Sequence, residues 1–156
     1  MRREDIPDPL RSLAFDFFFY FSRFEFALKE AGYLKSNKLE AAAQAGWERY
    51  IKGFEAQYML SAQGQALIDA QPQKQIVGAN QDLVFSPVTF KAGDSDLRKV
   101  TVLARTVRNN LFHGGKHVAK GWDNPERTRY LLEAAKAALD DLAEQSGLWA
   151  DYTGLY

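Results

Sequence analysis

Eight apolar residues between Leu10 and Ala31 limit most of what this chain can become. Leu10, Leu13, Ala14, Phe17, Phe21, Phe24, Leu28 and Ala31 recur at intervals of three and four, the period of a helix with one buried stripe. Gly32 supplies the stop. Phe15, Phe19 and Phe26, with Ser22 beside them, form a second strip on nearly the opposite face. A helix that is apolar on two sides has to be covered on both, by the rest of its own domain or by a second subunit. Asp16, Arg23, Glu25 and Lys29 interrupt it too often for a membrane span.

The remaining segments are read the same way. Met1 to Pro9 is a charged, proline-punctuated lead-in expected to fray. Asn37 with Glu40 three residues later has the form of a capping box, opening a helix that Leu39, Ala43, Trp47, Tyr50, Phe54 and Tyr58 carry to about Gln63. Residues 64–96 form a loop-rich insertion: an apolar turn at 66–70, a Gln-rich stretch, then Val84 to Phe90, where Pro87 argues against an interior strand or helix. A hairpin, an extended loop and a substrate-facing lid all remain open there. Asp94 or Asp96 is expected to cap the next helix, and Gly114-Gly115 to end it. After a short linker, Asn124-Pro125 opens a terminal helix whose apolar face is Tyr130, Leu131, Ala134, Ala135, Ala138, Leu139 and Leu142, with Gly147 as its end. The aromatic tail from Leu148 to Tyr156 is expected to fold back onto the body or onto a partner. Long amphipathic segments therefore predict one all-α domain over residues 1–156, a bundle of four or five helices.

Composition excludes several classes. With 156 residues, 46% of them hydrophobic and 26% charged, the chain is expected to be globular and soluble. It has no cysteine, hence no disulfide, thiol nucleophile or thiolate metal site, and nothing at its start resembles a signal peptide. A cytoplasmic protein is expected. A net charge of zero argues against a protein that coats nucleic acid non-specifically, although a local basic stripe can still hold a short strand.

Such a stripe exists. From Leu97 to Trp122 there is no Asp or Glu, yet the segment holds Arg98, Lys99, Arg105, Arg108, Lys116 and Lys120, together with both histidines of the chain, His113 and His117. Val100, Leu103, Ala104, Val107 and Leu111 fall within roughly 100° of one another on a helical projection and form the core-facing stripe. Asn109 and His113, four apart, stack on the side away from that stripe, next to Arg105 and Arg98. Arg108 lies on the flank, its stem free to pack while the guanidinium reaches round toward the imidazole. A histidine in the last turn of a helix feels the negative end of the dipole, which favours its protonated form. Tandem asparagines are poor helix formers, and arginines without local carboxylates suit an anionic ligand better than a salt-bridged surface.

An imidazole beside a guanidinium is the minimum for moving protons on, and stabilising charge at, a phosphodiester. RNA brings its own nucleophile: His113 can deprotonate a 2'-hydroxyl while Arg108 holds the phosphate oxygens through the pentavalent transition state. Asn109 orients the imidazole or the phosphate, and Arg105, Arg98 and Lys116 supply charge for the strand. One histidine cannot comfortably act as base and acid in the same step, so a two-fold dimer that brings a second copy is desirable.

The run Arg108-Asn109-Asn110-Leu111-Phe112-His113, followed by Gly-Gly-Lys, resembles the motif of the HEPN superfamily, in which Arg and His are separated by four to six residues and a polar residue often follows the Arg. The long aromatic first helix, with Phe21-Ser22-Arg23-Phe24-Glu25, and the helical body are similar to members of that group. The resemblance implies an all-α bundle, a homodimer with the motif at a composite cleft, and metal-independent RNA cleavage in toxin, phage-defence or RNA-processing settings, with an antitoxin or a defence complex as partner. It marks Arg108, Asn109 and His113 as catalytic and calls for no cofactor. No tyrosine follows His113 closely, unlike the toxins silenced by modification of a nearby tyrosine.

Two other readings compete. His113 and His117 are four apart, as metal ligands on a helix would be, but Gly114-Gly115 breaks that helix and no carboxylate or cysteine stands nearby to complete a zinc shell, so no metal is expected. The other is a non-catalytic helical dimer that binds RNA, a nucleotide or a protein partner through the same basic face, which needs the charge but not the histidine.

Overall fold

The computed structural model describes residues 6–112 and 124–155. Within them the chain forms α1 (Asp8–Glu30), α2 (Trp47–Phe54), α3 (Ala62–Ala70), a hairpin of β1 (Gln73–Val77) and β2 (Leu83–Pro87), α4 (Asp96–Phe112), α5 (Pro125–Gln145) and α6 (Trp149–Thr153). The fold is mostly helical, with six helices where four or five were expected and a two-stranded antiparallel sheet that was only one of three options. No helix among the described residues is long and apolar enough to cross a membrane.

The stripe of α1 is buried at Leu10, Phe17, Phe21, Phe24 and Leu28, as its spacing requires, and Gly32 follows the helix at φ +80°. Its second strip stays on the surface at Phe15 and Phe19, 63% and 46% exposed, while Phe26 is half-buried under the guanidinium of Arg23. The chain's own described elements therefore leave most of that face uncovered. α5 packs along α1, α3 and α4, and α6 returns onto α1. One core cluster joins them, from Leu10 through Tyr50, Leu67, Val100 and Leu139 to Tyr152.

The tail folds back as expected. Arg23 donates to the carbonyls of Asp151 and Tyr152, and the buried Tyr152 hydroxyl donates to Asp140 Oδ1 at 2.6 Å, a carboxylate also held by Lys136. α5 starts at the expected cap, with Asn124 Oδ1 accepting from the Arg127 N–H at 2.8 Å. Tyr130 departs from the expected apolar face and is 45% exposed.

The capping box at Asn37 and Glu40 does not form. Glu40 sits at φ +63°, Leu39 is exposed, and residues 35–45 make a loop closed at its base by the Leu34–Ala45 bridge and by Gly46 N–H to the Tyr33 carbonyl at 2.7 Å. The helix starts only at Trp47, where Trp47, Tyr50, Ile51 and Phe54 give it a buried face. It also ends at Phe54 rather than running to Gln63. Gln145 of α5 takes hold of the following backbone instead, bonding both N–H and C=O of Met59, and Ser61 caps α3 while donating to Asp141 at 2.7 Å. Pro87 closes β2, so it occupies a strand end and not an interior position.

Candidate functional site

α4 positions the predicted residues. Its stripe is buried as read, at Val100, Leu103, Ala104 and Val107, with Leu111 packed against the core's edge. Ser95 caps it, its side chain accepting the Arg98 N–H and its carbonyl accepting the Lys99 N–H; this corrects the expectation of Asp94 or Asp96. Asp94 instead accepts the Lys91 N–H, and Asp96 pairs with Lys99 at 2.8 Å.

Arg108 and Asn109 lie in the last turns of α4. Arg108 is half-buried, its guanidinium 5.5 Å from the centroid of the Phe21 ring, and its Nη1 donates to Asn109 Oδ1 at 3.1 Å. Asn109 is exposed. Arg105, one turn earlier, lies 5.6 Å from the centroid of the Trp47 ring. The Phe21 and Trp47 rings are themselves 5.6 Å apart, so both arginines rest on one aromatic platform supplied by α1 and α2. A ring face steadies a cation without cancelling its charge.

His113 and Lys116, the remaining predicted site residues, lie outside the described residues, as do His117, Lys120 and the Gly114-Gly115 break.

Arg98 is not the unpaired cation that the acid-free segment suggested. Glu48 of α2 grips it with both carboxylate oxygens, at 2.8 and 3.2 Å, and Asp94 lies 3.7 Å from its Nε. The Arg98 hydrogen bonds hold the Glu48 carboxyl below its ordinary range. Asp94 stands four residues before Arg98, a spacing that announces such a pair, whereas Glu48 is 50 residues away and reaches it only through the packing of α2 on α4.

The tandem asparagines also divide. Asn110 turns to the other flank, where its Nδ2 donates to the Gln73 carbonyl at 2.7 Å and ties the hairpin to α4. Its presence is explained by that bond, whereas the Asn109 amide oxygen accepts from Arg108. Asn110 also borders a cleft of about 800 Å³ between α4, α5 and the hairpin, but none of Arg98, Arg105, Arg108 and Asn109 lines it among the described residues. Arg127, its one cationic wall residue among the described residues, donates to the Ala70 carbonyl.

Sequence reading missed Phe21 and Trp47 as platforms, Glu48 as a clamp and Asn110 as a tether. It also missed a second, more polar cleft beside Arg105, of about 490 Å³, walled by α1, α2 and the 35–45 loop. Compared with family models, curated proteins and solved structures, the chain matches none.

Proposed function

We propose that this chain is a metal-independent endoribonuclease of HEPN type, working in a toxin, phage-defence or RNA-processing setting. The observation that carries the reading is the braced pair on α4: Arg108 resting on Phe21 and bonded to Asn109, five and four residues before His113. A guanidinium whose stem and ring contact restrict its rotamers is prepared to meet a phosphate with little further ordering. In the proposed reaction His113 removes the proton of a 2'-hydroxyl, and the freed oxygen attacks the adjacent phosphorus. The P–O5' bond breaks as the leaving oxygen takes a proton from the twin's protonated imidazolium, which becomes neutral imidazole. The products are a 2',3'-cyclic phosphate and a 5'-hydroxyl. Arg108 carries the charge that accumulates on the phosphoryl oxygens, and Asn109 keeps the guanidinium aimed.

The twin comes from a homodimer, for which the uncovered Phe15 and Phe19 on α1 are the face we propose. An antitoxin or defence-complex partner belongs to the same reading. The test is cleavage of a single-stranded RNA with chelator present, wild type beside His113→Ala. Wild type should cut and His113→Ala should lose activity by about 100-fold or more while keeping its fold and oligomeric state. Equal behaviour of the two would leave the competing reading, a non-catalytic helical dimer that binds RNA, a nucleotide or a protein partner. That reading is favoured by the cations around Arg105, which can hold an anion without any histidine.

A further inference from the structure

We infer that the cleft beside Arg105 is a groove for the phosphate backbone of single-stranded RNA, binding the strand beside the phosphate at Arg108. The inference rests on the ribonuclease reading for the identity of its ligand, while the groove's charge stands on its own geometry. Its titratable walls are Glu25 and Lys29 of α1, Lys35 of the loop, Glu48 and Arg49 of α2, and Arg105 of α4: four cations against two carboxylates.

Of the two carboxylates, Glu48 is ion-paired, while Glu25 has only a neutral partner and keeps its charge. Glu25 Oε1 accepts the Trp47 indole N–H at 2.9 Å, and Glu48 is spent on Arg98, a cation outside the groove wall. None of the four cations makes an ion pair among the described residues. Lys35 donates to the Gln44 amide at 3.1 Å, Arg49 to the Asn37 amide at 2.8 Å, and Arg105 rests on Trp47. Neutral acceptors hold Lys35 and Arg49 in place and leave their charge uncancelled, while Arg105 also feels the Glu48 carboxylate.

The cations come from four separate segments that wall the cleft, so it can offer several contacts to a chain of phosphates. Arg105 is the link. It is one helical turn from Arg108 on the same helix and shares its aromatic platform, so a strand lying in the groove leads to the proposed reacting phosphate.

The test is binding of a fluorescein-labelled RNA octanucleotide, followed by anisotropy over a series of salt concentrations in a His113→Ala background. Lys35 and Arg49 are exposed, so Lys35→Ala/Arg49→Ala should preserve the fold. For single strands each phosphate contact contributes about 0.7 to the salt slope, so this double variant should flatten the slope by about 1.4 and weaken binding roughly 25-fold at about 0.1 M salt. Lys74→Ala/Lys91→Ala, which removes the same charge elsewhere, should change little. Glu48→Gln should tighten binding, because it removes an acid from the wall and releases Arg98, a gain that general damage to the fold would not produce.

The groove is refuted if the Lys35/Arg49 variant binds no worse than the Lys74/Lys91 variant. It is equally refuted if a mononucleotide or a glutamate-rich peptide competes as well as the octanucleotide. Unchanged RNA cleavage by the Lys35/Arg49 variant with unchanged binding sinks the groove alone. Groove-dependent binding by a wild-type protein that cuts nothing sinks the nuclease reading alone.

Discussion

Gly46 sets the position of the 35–45 loop and hence of one wall of the groove, and Gly46→Ala measures how rigidly it does so. Gly46 has an ordinary negative φ, so a side chain there meets no intrinsic backbone strain. The obstacle is space: a Cβ would stand 2.6 Å from both the carbonyl carbon and the carbonyl oxygen of Leu34, and 2.9 Å from the Lys35 nitrogen. Backbone atoms cannot rotate aside as a side-chain end can. To relieve the clash the loop base must open, which strains the Gly46 N–H to Tyr33 bond at 2.7 Å and the Lys35 N–H to Gln44 bond at 2.9 Å. Overpacking of this kind costs about 1–3 kcal/mol, and alanine is also a poorer N-cap than glycine for α2. For a chain of this size the cost corresponds to a fall in Tm of about 2–12 °C.

The assay is urea unfolding beside a thermal melt, with Gly93→Ala as its control. A Cβ at Gly93 meets nothing within 4 Å, so that variant should be neutral or more stable by up to about 1 kcal/mol through its less flexible unfolded chain. Gly46→Ala should lower the midpoint without changing the m value, which would place the loss in the folded state. A Gly46→Ala protein within about 0.5 kcal/mol of wild type would refute the claim of a rigid loop base.

Two further outcomes follow from the site. Asn110→Ala removes the tether to Gln73, so amide exchange in the hairpin should rise and stability fall by about 0.5–1.5 kcal/mol with RNA cleavage retained, whereas Asn109→Ala should impair cleavage and leave the hairpin's exchange unchanged. Glu48 has a folded-state pKa below its ordinary 4.5, so its stabilising contribution is fully present above that value and disappears as pH falls through the lowered one. Because the side chain is 67% exposed, solvent screening limits the effect to about 1 kcal/mol or less; Glu48→Gln should be less stable than wild type at pH 7 in urea melts and indistinguishable from it at about pH 2. A constant difference across that range would argue against the ion pair as its cause.

Periodicity made α1, α4 and α5 readable, because each buries one continuous stripe and nothing long-range has to intervene to define it. α2 was misplaced because a short polar signature can be answered elsewhere: the Asn37 side chain takes the Arg49 guanidinium, and the Ser36 hydroxyl accepts the Lys38 N–H. What positions the start of α2 is the bridge between Leu34 and Ala45, a tertiary closure without a local pattern. The hairpin was hidden for a different reason. Ile76, Val77, Leu83, Val84 and Phe85 are all at least 38% exposed, so its strands lack the alternation of one buried and one solvated face.

The site divides along the same line between local and tertiary causes. An acid-free segment of sequence is not an acid-free surface, since acids arrive from before the segment, as Asp94 and Asp96 do, and from another helix, as Glu48 does. All three pair with Arg98 or Lys99 at the N-terminal end of α4, and Glu48 also acts on Arg105 further along. Further along, Arg105 and Arg108 meet the rings of Trp47 and Phe21, which steady a guanidinium. The negative end of the helix dipole favours cations there as well. Two basic stretches that look alike in sequence thus have different surroundings: the first is held by carboxylates and ties α2 to α4, and the second rests on aromatic rings, where we propose that it meets an anion. Exchanging Arg98 for Lys should therefore be felt in stability, and exchanging Arg105 for Lys in RNA binding.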